Sequence, residues 1–167
     1  MRVSVVLADK GTNNPQAGTL NLLNVGWVQT QLHAMPTVPG GLTTPNHAVA
    51  IFFEVDHADC NHPIELVLEL LTEDGHAVQI PSPAGPQQVR VSNFVTVASP
   101  AMAPLGAPGT GNALVEIVPG LPLQPGSYRW NVTLNGNHQE DWFAAFRVLP
   151  AAQPPVVSFG APGPPGA

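Results

Sequence analysis

Charge is scarce in this sequence: only 10% of its 167 residues are charged, against roughly 25% in an average soluble domain. Lysine occurs once, at Lys10, and five basic residues face eleven acidic ones, for a net charge of −6. A surface of that sign repels phosphate backbones, which argues against a nucleic-acid partner. Cysteine also occurs once, at Cys60, so no intramolecular disulfide can form and no oxidising compartment is implied. Long helix-compatible runs are missing too. The 16 Gly and 20 Pro interrupt the chain throughout, and both destabilise helix interiors, which excludes a helical bundle. No stretch approaches the ~18 apolar residues of a membrane span. The apolar run after Arg2 stops at Asp9, short of the core of a secretory signal. The expectation is a chain made and folded in a cytoplasm, with no membrane partner.

What is present is apolar surface arranged with the period of strands. Hydrophobic residues make up 44% of the chain, enough to bury a core. Val3, Val5 and Leu7 alternate; so do Val49, Ile51, Phe53 and Val55. Ile64, Leu66, Leu68 and Leu70 alternate with Glu65 and Glu69, although Ile64, Val67, Leu68 and Leu71 also fit a helical template. Asp74-Gly75 signals a hairpin returning through His76 to Ile80. Further strands fit Val89 to Val97 and Leu114 to Val118. Tyr128, Trp130, Val132 and Leu134, the turn at Asn135-Gly136, then Trp142, Ala144, Phe146 and Val148 describe a hairpin with an aromatic inner face. The predicted fold is an all-β, antiparallel sandwich of about seven to nine strands over residues 1–149. Residues 150–167 read as a separate extended tail rich in Pro, Ala and Gly, and 98–113 as a long exposed loop.

Pro125-Gly126-Ser127-Tyr128 precedes the last hairpin. That spacing resembles the corner of immunoglobulin-like and fibronectin-like sandwiches, in which a tyrosine hydroxyl bonds back to the preceding loop. Val3-Ser4-Val5-Val6-Leu7-Ala8-Asp9, followed by Gly18-Thr19-Leu20-Asn21-Leu22-Leu23-Asn24-Val25-Gly26-Trp27, resembles a family of uncharacterised bacterial and phage-encoded proteins. Thr19 stands where that family has Lys. The resemblance spans about residues 1–149 and implies a β-sandwich; the family carries no assigned catalytic residues, so it transfers no site.

Side chains able to do chemistry are dense in one segment, Asp56-His57-Ala58-Asp59-Cys60-Asn61-His62. Its spacing matches no zinc signature, and Asp, Asn and His favour turns for backbone reasons, so a polar turn is expected rather than a metal site. Cys60 lacks any recognisable oxyanion hole or orienting group for nucleophilic work. Glu65, Glu69, Glu73 and Asp74 read as solvated carboxylates rather than a glycosidase pair. Trp130 and Trp142 fall on the apolar phase of their strands; Trp27, whose strand has Asn on both phases and a Gly before it, is a candidate contact. No phosphate loop, dinucleotide fingerprint or Gly-x-Ser-x-Gly occurs.

These observations lead to three function hypotheses. The first is a non-catalytic structural or interaction module without cofactor or metal, of the kind that decorates a phage capsid. Its partner would be a capsid shell protein or a second copy of the chain. Its candidate contacts are Val156, Val157 and Phe159 in the tail, Leu105 in the 98–113 loop, and Trp27. The second is a cytoplasmic sandwich that binds a carbohydrate or another small ligand near Trp27 and the 36–47 loop. The third is a metal-dependent enzyme at Asp56–His62.

Overall fold

The computed structural model describes residues 1–14, 18–35, 41–100, 104 and 106–152. In chain order the strands are β1 (Arg2–Asn14), β2 (Thr19–Val25), β3 (Gln29–Gln31), β4 (His33–Ala34), β5 (Leu42–Thr43) and β6 (His47–Val55). After a short 3-10 turn at His57–Asp59 come β7 (Pro63–Thr72), β8 (Gln79–Ile80), β9 (Gln87–Gln88) and β10 (Arg90–Thr96). The last are β11 (Gly109–Ile117), β12 (Gly126–Leu134) and β13 (Phe143–Leu149). The chain is all-β, and no helix among the described residues is long and apolar enough to cross a membrane.

Two sheets carry the fold, with strand orders β11-β6-β1-β2 and β10-β7-β12-β13-β3. Pairing is antiparallel except where β3 lies parallel to β13. The sheets pack face to face: Val49, Ile51 and Phe53 from the first share one buried cluster with Leu66, Leu68, Trp130 and Phe146 from the second. Val49, Ile51, Phe53 and Val55, then Ile64, Leu66, Leu68 and Leu70, and Trp130, Val132, Leu134, Trp142, Phe146 and Val148 lie in the core, the inward sets expected. Residues 64–71 form a strand rather than a helix. Ile64, Leu66, Leu68 and Leu70 go inward, Glu65 and Glu69 outward, and β10 and β12 flank the segment on either side. The hairpin at Asn135-Gly136 has both residues in the left-handed region, φ +47° and +75°, the two-residue geometry that Asn-Gly favours. The Tyr128 hydroxyl donates to the Gln124 carbonyl at 2.8 Å, as the spacing of that corner suggested.

Two segments depart from the sequence reading. β11 begins at Gly109, inside the expected 98–113 loop. Glycine hides this strand from a periodicity argument and also enables it: a Cβ at Gly111 would sit 2.6 Å from the Phe53 ring, and one at Gly109 2.7 Å from the Cys60 sulfur. β1 likewise runs on past the Val3–Leu7 alternation to Asn14, and it changes partner on the way. Arg2–Ala8 pair with β6, whereas Ala8–Asn14 pair with β2.

From Ala8 onward, β1 and β2 form a two-stranded ribbon that lies over the outer face of the first sheet. The Gly11 backbone sits against the Leu114 side chain, and Asn112 Nδ2 donates to the Gly18 carbonyl at 2.8 Å. The cover explains an otherwise odd burial pattern. Ala48 and Ala50 point away from the core, alternating with inward Val49 and Ile51, yet both are fully buried. Larger side chains there would lift the ribbon. Ala50→Leu is expected to lower stability by ~1–3 kcal/mol through overpacking, and an unchanged urea midpoint would rule the packing account out. Tyr128→Phe is expected to cost ~1 kcal/mol for its lost hydrogen bond, read from the same unfolding curve.

Candidate functional site

At one end of the sandwich, where the chain crosses from β2 to β3, Trp27 meets His47. His47 opens β6 opposite Ile117 and beside Ala8 and Ala48, and its ring is only 3% exposed. The indole of Trp27 packs edge-on against it, with ring centroids 5.7 Å apart, and edge-on against Phe146 at 5.8 Å. Trp130 and Phe146 flank the imidazole at 6.4 and 6.3 Å. His47 therefore ties β6 of one sheet to β12 and β13 of the other.

Its protonation state follows from its partners. Nδ1 lies 3.0 Å from the Pro45 carbonyl, which can only accept, so Nδ1 carries the hydrogen and donates. Nε2 is buried without a hydrogen-bond partner among the described residues, as is Nε1 of Trp27. Removal from water disfavours the imidazolium and pushes the His47 pKa below its ordinary value, with the Pro45 contact opposing more weakly.

The segment before His47 is held by polar contacts. Thr44 N donates to Leu121 O at 2.9 Å, Leu121 N returns a bond to Thr44 Oγ1 at 2.9 Å, and Gly120 N donates to Asn46 Oδ1 at 3.1 Å. These bonds clamp residues 44–46 to 120–121 and fix where the imidazole enters the core. Beside them lies a pocket of about 120 Å³ lined by Asp9, Asn24, Trp27, Gln29, Asn46 and His47, among others. Asn24, in the left-handed region at φ +51°, donates its Nδ2 to Asp9 Oδ2 at 2.8 Å. The pocket thus offers one carboxylate and several carboxamides against an aromatic wall. It is well below the ~300–1,000 Å³ of sites for drug-sized ligands.

The segment Asp56–His62 is a polar turn. The Met1 amino group lies 3.5 Å from Asp56 Oδ2, and Asn61 bonds to Val97 O and Ser99, stapling the turn to the exit of β10. Cys60 points under the turn, 3% exposed, with its thiol donating to Asp56 O at 3.6 Å. Among the described residues no three His, Cys, Asp or Glu side chains are grouped to hold a metal ion. Glu65 lies on the outward phase of β7, where its Oε1 accepts from Ser92 at 3.1 Å. Trp130 and Trp142 are core residues. Leu105, Val156, Val157 and Phe159 lie outside the described residues; of the expected contacts, Trp27 alone is placed, half-buried against the core. His47 carried no periodic signal that set it apart, since its burial depends on Trp27 crossing from the other sheet edge.

No protein-family model and no curated protein matches the chain. The residues themselves carry the functional argument.

Because the folded state holds His47 neutral, the unfolded chain takes up the proton first as pH falls below its ordinary value of about 6.5. The contribution of His47 is thus complete above that pH and is lost on acidification toward its depressed folded value. Urea midpoints between about pH 7.5 and 5 should fall for the native chain. His47→Phe, which keeps a ring without a titrating nitrogen, should remove that part of the slope. An equal slope in both proteins would overturn the assignment.

Proposed function

We propose that the chain is a non-catalytic structural or interaction module on an immunoglobulin-like, fibronectin-like sandwich, acting as an accessory protein on a phage capsid. The observation that carries the fold part is strand order. With β1, β6, β7, β10, β11, β12 and β13 read as strands A, B, C, C′, E, F and G, the sheets become A-B-E and C′-C-F-G. The hydrogen bond from Tyr128 then lies at the start of strand F, where such sandwiches carry their tyrosine corner. Fold alone assigns no activity. The interaction part draws on surface chemistry: Leu23, Val25 and Val28 follow one another along the ribbon and its exit, 65%, 51% and 68% exposed. Exposed apolar side chains close together in the chain suit a protein partner, either a shell protein or a second copy of the chain. The capsid part draws on the resemblance of residues 1–149 to uncharacterised bacterial and phage-encoded proteins and on the Pro-rich tail.

A second reading, a small-ligand or carbohydrate-binding sandwich, draws on the pocket beside Trp27. At about 120 Å³ that pocket holds a few waters' worth of volume, which limits it to a small polar solute. Such a solute would change the fluorescence of Trp27 on titration.

The capsid reading is tested by quantitative mass spectrometry of sedimentable particles against soluble protein from the native source. A fixed copy number relative to a shell protein is the expected result; recovery only in the soluble fraction would sink it. Removing residues 153–167 should weaken attachment while leaving the unfolding midpoint in place. The contacts of Leu149 and Pro150 with Leu32 and Gln31 stay intact in that variant.

A further inference from the structure

The outer face of the first sheet holds a second concavity at the opposite end of β6 from His47. It is a cleft of about 560 Å³ between the Gly18–Leu20 end of the ribbon and the strands beneath. Its floor is two cross-strand rows: Ser4, Phe52 and Asn112, then Arg2, Glu54 and Thr110. Phe52, 39% exposed, is the apolar centre. Arg2 stands directly across the strand pair from Glu54 without forming an ion pair; among the described residues the one ion pair is that of the Met1 amino group. Asn112 uses Nδ2 on the ribbon, whereas the side chains of Arg2, Ser4, Thr19, Glu54 and Thr110 have no partner among the described residues.

We infer that this cleft binds a neutral saccharide, one or two sugar units laid on the Phe52 ring. A sugar has an apolar C–H face and a rim of hydroxyls that both donate and accept. The cleft offers a ring surrounded by a pure donor in Arg2, a pure acceptor in Glu54, and hydroxyls that do both in Ser4, Thr19 and Thr110. One positive and one negative side chain cancel locally, and the net charge of −6 discourages an anionic ligand. An extended peptide is a poorer fit. β6 is hydrogen-bonded to β1 on one side and β11 on the other, so the floor has no free backbone edge for strand addition. The volume lies within the ~300–1,000 Å³ range of small-molecule sites. This inference shares a ligand class with the second reading but not its site, so silence of Trp27 fluorescence and failure of the cleft are separate results.

The experiment is an amide chemical-shift titration of the full chain with maltose, cellobiose, lactose and N,N′-diacetylchitobiose. At least one should saturate in the millimolar range, with shifts confined to residues 2–4, 18–20, 52–54 and 110–112. Phe52→Ala should weaken that binding about ten-fold or more, and Phe52→Tyr should retain it. Arg2→Ala, whose side chain holds nothing else, should also weaken binding and serves if Phe52→Ala fails to fold. No saturation by any of the four sugars, shifts centred elsewhere, or undiminished binding by the variants would overturn the proposal.

Discussion

The architecture turns on the change of partner at Ala8. Up to that residue β1 pairs with β6; beyond it β1 pairs with β2 and crosses the outer face of the sheet it has just joined, where Gly11 meets Leu114 and Asn112 bonds to Gly18. Such a crossing needs a thin surface beneath it. Ala8, Ala48 and Ala50 supply one, all with no solvent exposure, and Gly11 lets the ribbon backbone settle against Leu114. The same crossing delivers the chain to the far edge of the second sheet, where β3 joins β13 in parallel. Trp27 is the residue in transit. Its contact with His47 and Phe146 is therefore a consequence of how the ribbon leaves, and the cleft over Phe52 is a consequence of where the ribbon ends.

The interior near His47 balances opposing effects. An imidazole among three aromatic rings gains packing, but its Nε2 has no partner among the described residues. Leaving a buried polar atom unpaired typically costs ~1–3 kcal/mol. The clamp between residues 44–46 and 120–121 offsets part of this by fixing the backbone that carries the ring. Thr44, 1% exposed, contributes both its amide and its hydroxyl to that clamp. The balance holds only while the imidazole is neutral, which makes this end of the sandwich sensitive to acid.

Much of the framework was legible in the sequence because its strands are half-buried and alternate. The Leu/Glu alternation of β7 pointed to a strand while a helical template also fitted, and pairing with β10 and β12 decided between them; Asn135-Gly136 marked its turn through a backbone preference that few other residue pairs share. The ribbon and the first half of β11 were not legible, for one shared reason. Both are built where a backbone approaches another chain segment closely, and the glycines that permit the approach read as turn signals when taken one at a time. Burial on both faces also blurs period-two patterning: Ala48 to Ile51 form an unbroken apolar run. The candidate sites were less legible still. Phe52 looks like an ordinary outward residue until Ser4 and Asn112 are known to be its neighbours, and that register is set by pairings across tens of residues.

These constraints place the two concavities at opposite ends of one covering element. Near Ala8 the ribbon is held by burial, and toward its far end Asn112 bonds to Gly18. The end beside Trp27 is thus anchored through the core, so chemistry there is bound up with stability. The end over Phe52 rests on exposed side chains that hold little else in place, so its polar groups can vary without cost to the sandwich. A surface that recognises a ligand is expected on the second kind of ground, where side chains are free to meet an incoming molecule. Arg2 and Glu54, face to face and unpaired, are in that position.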